Sequence, residues 1–183
     1  MHSAGQPGLR RYEVTATTMT RKWLIAAAAL LLLGVCTPAT AAAAPGDDQR
    51  LSPFDLSYPT VSRLDPALLD ALQRATRAAA AQGITVGLNS GWRSPEYQQQ
   101  LFDDAVATYG SAAIASQYVA SPQTSKHVLG KAVDVGPAAA DNWLIGNGPA
   151  LGLCQIYANE IWHFELASDY GGVCPPLRPN AAG

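Results

Sequence analysis

Apolar and polar residues change their rhythm several times along this chain, and each rhythm predicts a different element. Near the start, Arg21-Lys22 precede an apolar run from Trp23 to Val35, and the small-residue stretch ATAAAAPG follows. That order of charge, apolar run and Ala-x-Ala site predicts an N-terminal extension and secretory signal peptide over residues 1–44. The run is well short of the roughly 20 residues that span a bilayer, so a stable membrane span is not expected. Residues 45–60, PGDDQRLSPFDLSYPT, lose all periodicity and predict a linker or lead-in. At Asp65-Pro66 a capping residue and an N1 proline open a helical rhythm through Leu68, Leu69, Leu72 and Ala75, with Gly83 as its stop. The β-branched residues Ile84, Thr85 and Val86 predict a short strand. Ser94-Pro95-Glu96 repeats the cap signature and predicts a helix ending at Gly110. A short Ala-rich helix is expected over 111–118.

A different rhythm begins at KAVDVG (residues 131–136). Alternation places Val133 and Val135 on one face of a strand and Ala132, Asp134 and Gly136 on the other. The valines are expected to face a core, and Asp134 a cleft over a small neighbour. Asp141 is a candidate cap for another short helix holding Trp143 and Leu144. LCQIYANEIWHFEL (153–166) predicts two short strands joined near Ala158-Asn159. Helices first and strands later imply an α+β domain, placed at 61–175 with a tail at 176–183. The tryptophans Trp92, Trp143 and Trp162 are expected in the core or the cleft wall.

The leader carries three further signals. Met19 stands directly before Thr20-Arg21-Lys22 and reads as a natural start, with 1–18 as an upstream extension. Arg10-Arg11 lies too far from the apolar run to serve as a twin-arginine export signal. Val35 occupies the position before Cys36 where a lipid-anchor signal needs Gly, Ala or Ser.

Charge and cysteines narrow the function classes. Residues 45–183 carry eight basic and thirteen acidic residues, a net −5. An acidic domain without a basic run is a poor nucleic-acid binder. Cys154 and Cys174 remain after the leader, and an even pair in an exported protein predicts a disulfide. Closing a loop of about 20 residues is worth about 3 kcal/mol in the chain-entropy account. A secreted monomer is expected.

Only two histidines lie beyond the leader, each beside carboxylates: His127 with Asp134, and His163 within EIWHFE between Glu160 and Glu165. A catalytic zinc takes three protein ligands and keeps one open position, and His127, Asp134 and His163 make such a set. Zinc lowers the pKa of bound water to about 7, and a carboxylate off the metal can shuttle the proton. Glu160 is the candidate. Strand alternation puts Glu165, rather than Glu160, on the face of His163, so Glu160 qualifies only from a turn entering the strand.

SKHVLGKAVD fits the pattern Ser-x-His-x-x-Gly-x-Ala-x-Asp, and EIWH fits Glu-x-x-His. Together they resemble the VanY-like D-alanyl-D-alanine carboxypeptidases among the M15 zinc peptidases. SGWRSPEYQ resembles that family's Ser-Gly-Tyr-Arg-Ser segment, with Trp92 in place of Tyr. The resemblance covers about Asn89 to Leu166. It implies the Hedgehog/DD-peptidase fold, a small antiparallel sheet with flanking helices. It implies zinc on His127, Asp134 and His163, and Glu160 as catalytic base. Arg93 would steady a substrate oxygen or carboxylate, and Ser125 would bind substrate, with Gln98 lining the same region. The implied substrate is a peptidoglycan stem peptide, cut at D-Ala-D-Ala. Two rival readings stay open: an endopeptidase of the L-Ala-D-Glu type, and a non-catalytic zinc-containing binding module.

Overall fold

The computed structural model describes residues 50–183. The expected leader, 1–44, and residues 45–49 of the lead-in lie outside the described residues. Among the described residues, no helix is long and apolar enough to cross a membrane.

Four short strands form one antiparallel sheet in the order β1-β2-β4-β3: β1 Gly87–Ser90, β2 Ala132–Gly136, β3 Leu153–Gln155 and β4 His163–Leu166. Helices precede and interrupt it: α1 Pro59–Ser62, α2 Pro66–Ala80, α3 Pro95–Tyr109, α4 Ala112–Ala115 and α5 Ala138–Asn147. Single 3-10 turns follow α5 and β4, at Gly148–Leu151 and Ala167–Tyr170. This is the α+β arrangement expected.

The two long helices begin where their caps dictate. Asp65 accepts hydrogen bonds from the Ala67 and Leu68 amides, with Pro66 directly after it. The Ser94 hydroxyl accepts from the Tyr97 amide, and Gly110 ends α3 in the left-handed region at φ 81°. Each such N-cap is worth about 1 kcal/mol. α2 then turns Leu68, Ala71, Leu72, Ala75 and Ala79 inward. They join Leu88, Val133, Val135, Trp143, Leu144, Leu153, Phe164 and Leu166 in one core between the sheet and helices α2 and α5. Burying a side chain such as Phe164 or Leu72 contributes roughly 1.5–3 kcal/mol.

Three local expectations are corrected. The first strand is Gly87–Ser90, not Ile84–Val86. The Ile84 amide donates to the Ala79 carbonyl, so the segment starts by closing α2, and pairing with β2 begins only at Gly87. Asp141 does not cap α5. The helix begins at Ala138 after Pro137, whose carbonyl accepts from the Ala140 and Asp141 amides. Asp141 lies buried in the first turn instead, and its Oδ1 has no hydrogen-bond partner. The Ala-rich helix is also shorter than expected, Ala112–Ala115 rather than 111–118.

Cys154 of β3 is joined to Cys174 by a disulfide, with Cα atoms 5.3 Å apart. Arg178 donates its amide to the Ile156 carbonyl and accepts from the Ala158 amide, which pins the last residues against the β3–β4 connection.

Candidate active site

Register does most of the assembly. Asp134 of β2 lies directly opposite His163 of β4, and Ala132 opposite Glu165. These four share one face of the sheet. Their neighbours Val133 and Phe164, also paired, take the other face and enter the core. The alternation read from KAVDVG is therefore realised, although all five β2 residues are buried, because the polar face is covered too.

His127 arrives from the loop before β2, and glycines make its position possible. Gly130 has φ +68°, and a Cβ there would lie 2.4 Å from the Arg63 carbonyl oxygen. The Asp65 amide donates to the Gly130 carbonyl at 2.8 Å. The SGWRS segment is fastened to this loop from the other side. The Arg93 amide donates to the His127 carbonyl at 3.2 Å, and His127 Nδ1 lies 2.8 Å from the Gly91 carbonyl oxygen. Gly91 is itself pressed on Thr60, where a Cβ would come within 2.3 Å of the carbonyl oxygen. The two motifs, far apart in sequence, thus fold as one unit.

The result is a small triangle. His127 Nε2, Asp134 Oδ1 and His163 Nδ1 are separated by 3.3, 3.1 and 3.3 Å. All three residues are buried. The remaining polar atom of each is held from outside: His127 Nδ1 by the Gly91 carbonyl, Asp134 Oδ2 by Arg93 Nη2 at 2.7 Å, and His163 Nε2 by Glu165 Oε1 at 3.0 Å. Carbonyl and carboxylate oxygens only accept, so both imidazoles turn their protonated nitrogen outward. Two lone pairs and a carboxylate oxygen then converge with no donor among them. Such a set requires a cation or an extra proton.

A divalent metal fits. Donors held tetrahedrally at 2.0–2.1 Å from zinc lie about 3.3 Å from one another, and nitrogen and carboxylate oxygen are zinc's ordinary donors. Outward hydrogen bonds to every ligand are also the usual support of a metal site. Without metal, a proton takes that place. Burial opposes charge on His163, but its hydrogen bonds to Asp134 and Glu165 win and push its pKa up to about 9. Burial likewise opposes charge on Asp134, but His127 and His163 hold its carboxyl well below the usual range. For His127 burial dominates and lowers the pKa.

Glu160 lies in the turn entering β4, not in the strand, and its amino-acid neighbours do not fix its side chain: Oε1 has no hydrogen-bond partner, and Oε2 is 3.9 Å from His163 Nδ1. Burial, aided by Asp134 and opposed by His163 and Arg93, raises its pKa. Glu165, its rival from strand alternation, is wholly buried and has both oxygens engaged, by His163 and by the Tyr170 hydroxyl at 2.7 Å.

Arg93 is fixed at three points: Nε to the Ser90 hydroxyl at 2.8 Å, Nη1 to Gln98 Oε1 at 3.2 Å, and Nη2 to Asp134. A guanidinium has five N–H donors, so two remain. Gln98 is held in turn through Nε2 on the Ala120 carbonyl at 2.8 Å. A cleft of about 250 Å³ opens over the triangle, lined by Arg93, Gln98, Ser125, Lys126, Glu160 and Trp162 among others. Ala181 from the pinned C-terminal segment also reaches its wall. Arg93, Gln98, Ser125, His127, Asp134, Glu160 and His163 therefore all border one cleft, whereas Glu165 does not line it. Sequence reasoning missed the outward supports: the Gly91 carbonyl, Ser90 and Tyr170. Ser90 and Gly91 lay within the SGWRS motif, whereas no sequence signal pointed to Tyr170.

The family model described as VanY, D-alanyl-D-alanine carboxypeptidase, matches residues 61–170, more than half of the chain, and the chain belongs to that family. A curated D-alanyl-D-alanine carboxypeptidase of Enterococcus faecalis (strain ATCC 700802 / V583) is 33% identical over 128 residues, covering 56% of this chain and 48% of that protein. The chain thus spans about half the length of that relative. Among solved structures, a mutant of the vancomycin-resistance D,D-pentapeptidase VanY from a VanB-type cassette, in complex with Zn(II), is similar at TM-score 0.54 and 29% identity, covering 61% of this chain and 80% of that one. VanYB in complex with D-alanine-D-alanine is similar at TM-score 0.53 and 28% identity, covering 61% and 79%. The LD-carboxypeptidase LdcB shares the fold at TM-score 0.53, with 24% identity over 60% of this chain and 61% of that one. The sheet with flanking helices is the fold of these peptidoglycan peptidases, as the resemblance implied.

Proposed function

We propose that this chain is an exported zinc peptidase that removes the terminal D-Ala from D-Ala-D-Ala ends of peptidoglycan stem peptides. The observation that carries the reading is the buried donor triangle with the unpartnered Glu160 oxygen beside it in one cleft. Membership of the VanY family supports peptide hydrolysis. The VanY neighbour with Zn(II) supports the metal, and the VanYB neighbour with D-alanine-D-alanine supports the substrate. The leader-like sequence supports export.

His127, Asp134 and His163 would hold the metal. Zinc bound there would supply Lewis acidity, bringing the pKa of water to about 7 and polarising a carbonyl. Glu160 takes the proton from the attacking water and returns it to the leaving amine, a role that suits a carboxyl raised by burial. Arg93 offers its two remaining N–H donors to an oxygen on which charge develops, or to the terminal carboxylate. Because Ser90, Gln98 and Asp134 already fix the guanidinium, little reorganisation accompanies that step. Gln98 serves the substrate through Arg93, while Ser125 and Lys126 line the cleft beside it.

The test is a defined pentapeptide stem incubated with the zinc-loaded protein and followed by mass spectrometry. Free D-Ala and a tetrapeptide are expected, with one zinc per chain by metal assay. An internal cut, or an intact stem, overturns the carboxypeptidase reading.

A further inference from the structure

Glu165 is a carboxylate with no exposure to solvent, in a protein whose proposed proton shuttle is a different residue. Such a group is costly to bury unless something uses its charge. Its two oxygens have separate partners. Oε1 faces His163 Nε2 at 3.0 Å, and Oε2 accepts from the Tyr170 hydroxyl at 2.7 Å. Bonded at both ends, the carboxylate cannot rotate away from His163.

The surroundings hold this arrangement from three sides. Ala132, wholly buried, is the register partner of Glu165 on β2, and Cys154 is its register partner on β3. Tyr170 sits in the 3-10 turn that follows β4 directly. It packs with Cys174 against Cys154, Ile156 and Ala167, so the disulfide closes the segment that carries it. His127 is oriented differently, by the Gly91 backbone carbonyl. Of the two imidazoles, only His163 has its outward nitrogen held by a side chain.

We propose that Glu165 and Tyr170 are positioning residues for the metal: together they keep the His163 proton on Nε2 and its Nδ1 lone pair aimed into the donor triangle. This rests on the zinc reading above. An ionised carboxylate only accepts, so Nε2 must donate to it, and Nδ1 is left as the metal-binding atom. The negative charge also makes the imidazole a stronger donor to a cation. Tyr170 acts one step further out, fixing the carboxylate that fixes the ring. Glu165 is thereby removed from candidacy as the base, since it has no exposure to solvent and does not line the cleft.

Zinc dissociation constants, measured by competition with a chromophoric chelator, test this on the wild-type chain and on Glu165→Gln and Tyr170→Phe. Visible spectra of the cobalt(II) forms and melting curves of the metal-free proteins accompany them. Glu165→Gln is expected to weaken zinc binding about 10–100-fold. Tyr170→Phe, which removes one hydroxyl from a partly buried ring, is expected to weaken it by a smaller factor, with an altered cobalt spectrum and little change in metal-free melting. Wild-type zinc affinity in Tyr170→Phe and in whatever Glu165→Gln protein folds overturns the proposal. So does a loss of affinity that only tracks a lower melting temperature of the metal-free protein. A wild-type chain that takes up no zinc sinks the zinc reading and this inference together, whereas a zinc-loaded wild type with indifferent variants sinks this inference alone.

Discussion

The two faces of the sheet are built from the same strands and behave as different materials. On one face Val133, Val135, Phe164 and Leu166 pack against α2 and α5, and any apolar side chain of similar volume would serve. On the other, Asp134, His163 and Glu165 depend on specific partners at 2.7–3.3 Å, and no isostere replaces them. The strand period of two residues keeps these demands apart, so one element supplies stability and chemistry at alternate positions. The two faces should therefore fail in different ways.

The largest separation is expected at Glu160. Glu160→Ala should lower kcat on a stem peptide by about 10²–10⁴-fold while keeping one zinc per chain and the wild-type melting temperature. Unchanged turnover would remove Glu160 from the mechanism. On the opposite face, Phe164→Ala should destabilise the fold by about 3–5 kcal/mol by denaturant titration. Folded Phe164→Ala protein should still bind zinc; loss of metal without loss of stability would mean the faces are not independent. Replacing Cys154 and Cys174 with Ala should cost about 3 kcal/mol in the same titration, since the bridge spans 20 residues. An unchanged midpoint would show that the crosslink does not constrain the unfolded chain.

The smallest effect is at Asp141, a buried carboxylate in the first turn of α5. Burial pushes its pKa up to about 6, with Arg50 opposing and Asp134 assisting. The folded state thus binds its proton more tightly than the unfolded chain, whose carboxyl titrates near pH 4. Stability from this group is present below about pH 4 and declines as pH rises toward 6. Asp141→Asn should raise the melting temperature by a few degrees at pH 7 and hardly at all at pH 4, roughly what 1 kcal/mol yields. An equal shift at both pH values would exclude the carboxylate's ionisation as the cause.

Short-range physics made much of this legible in the sequence. Asp65-Pro66 and Ser94-Pro95 start helices because a side-chain acceptor and a fixed φ act within three residues. KAVDVG announces its two faces because alternation is a property of the strand itself. The donor trio of His127, Asp134 and His163 stood out because so few histidines lie in this part of the chain. Where the sequence misled, tertiary pairing overrode local preference. Ile84–Val86 has the β-branched composition of a strand, yet the Ile84 amide closes α2, and Gly87–Ser90 pairs with β2 instead.

The sequence by itself therefore determined the helix starts, the alternation that sorts core from cleft, and the identity of the residues available for chemistry, since all of these depend on neighbours a few positions away. Only the tertiary structure decided which carboxylate stands beside the donor triangle and which braces His163, and it locked Arg93 onto Asp134, 41 residues distant. Those assignments depend on strand register and on which atoms lie within 3 Å, and a spacing along the chain carries no record of either.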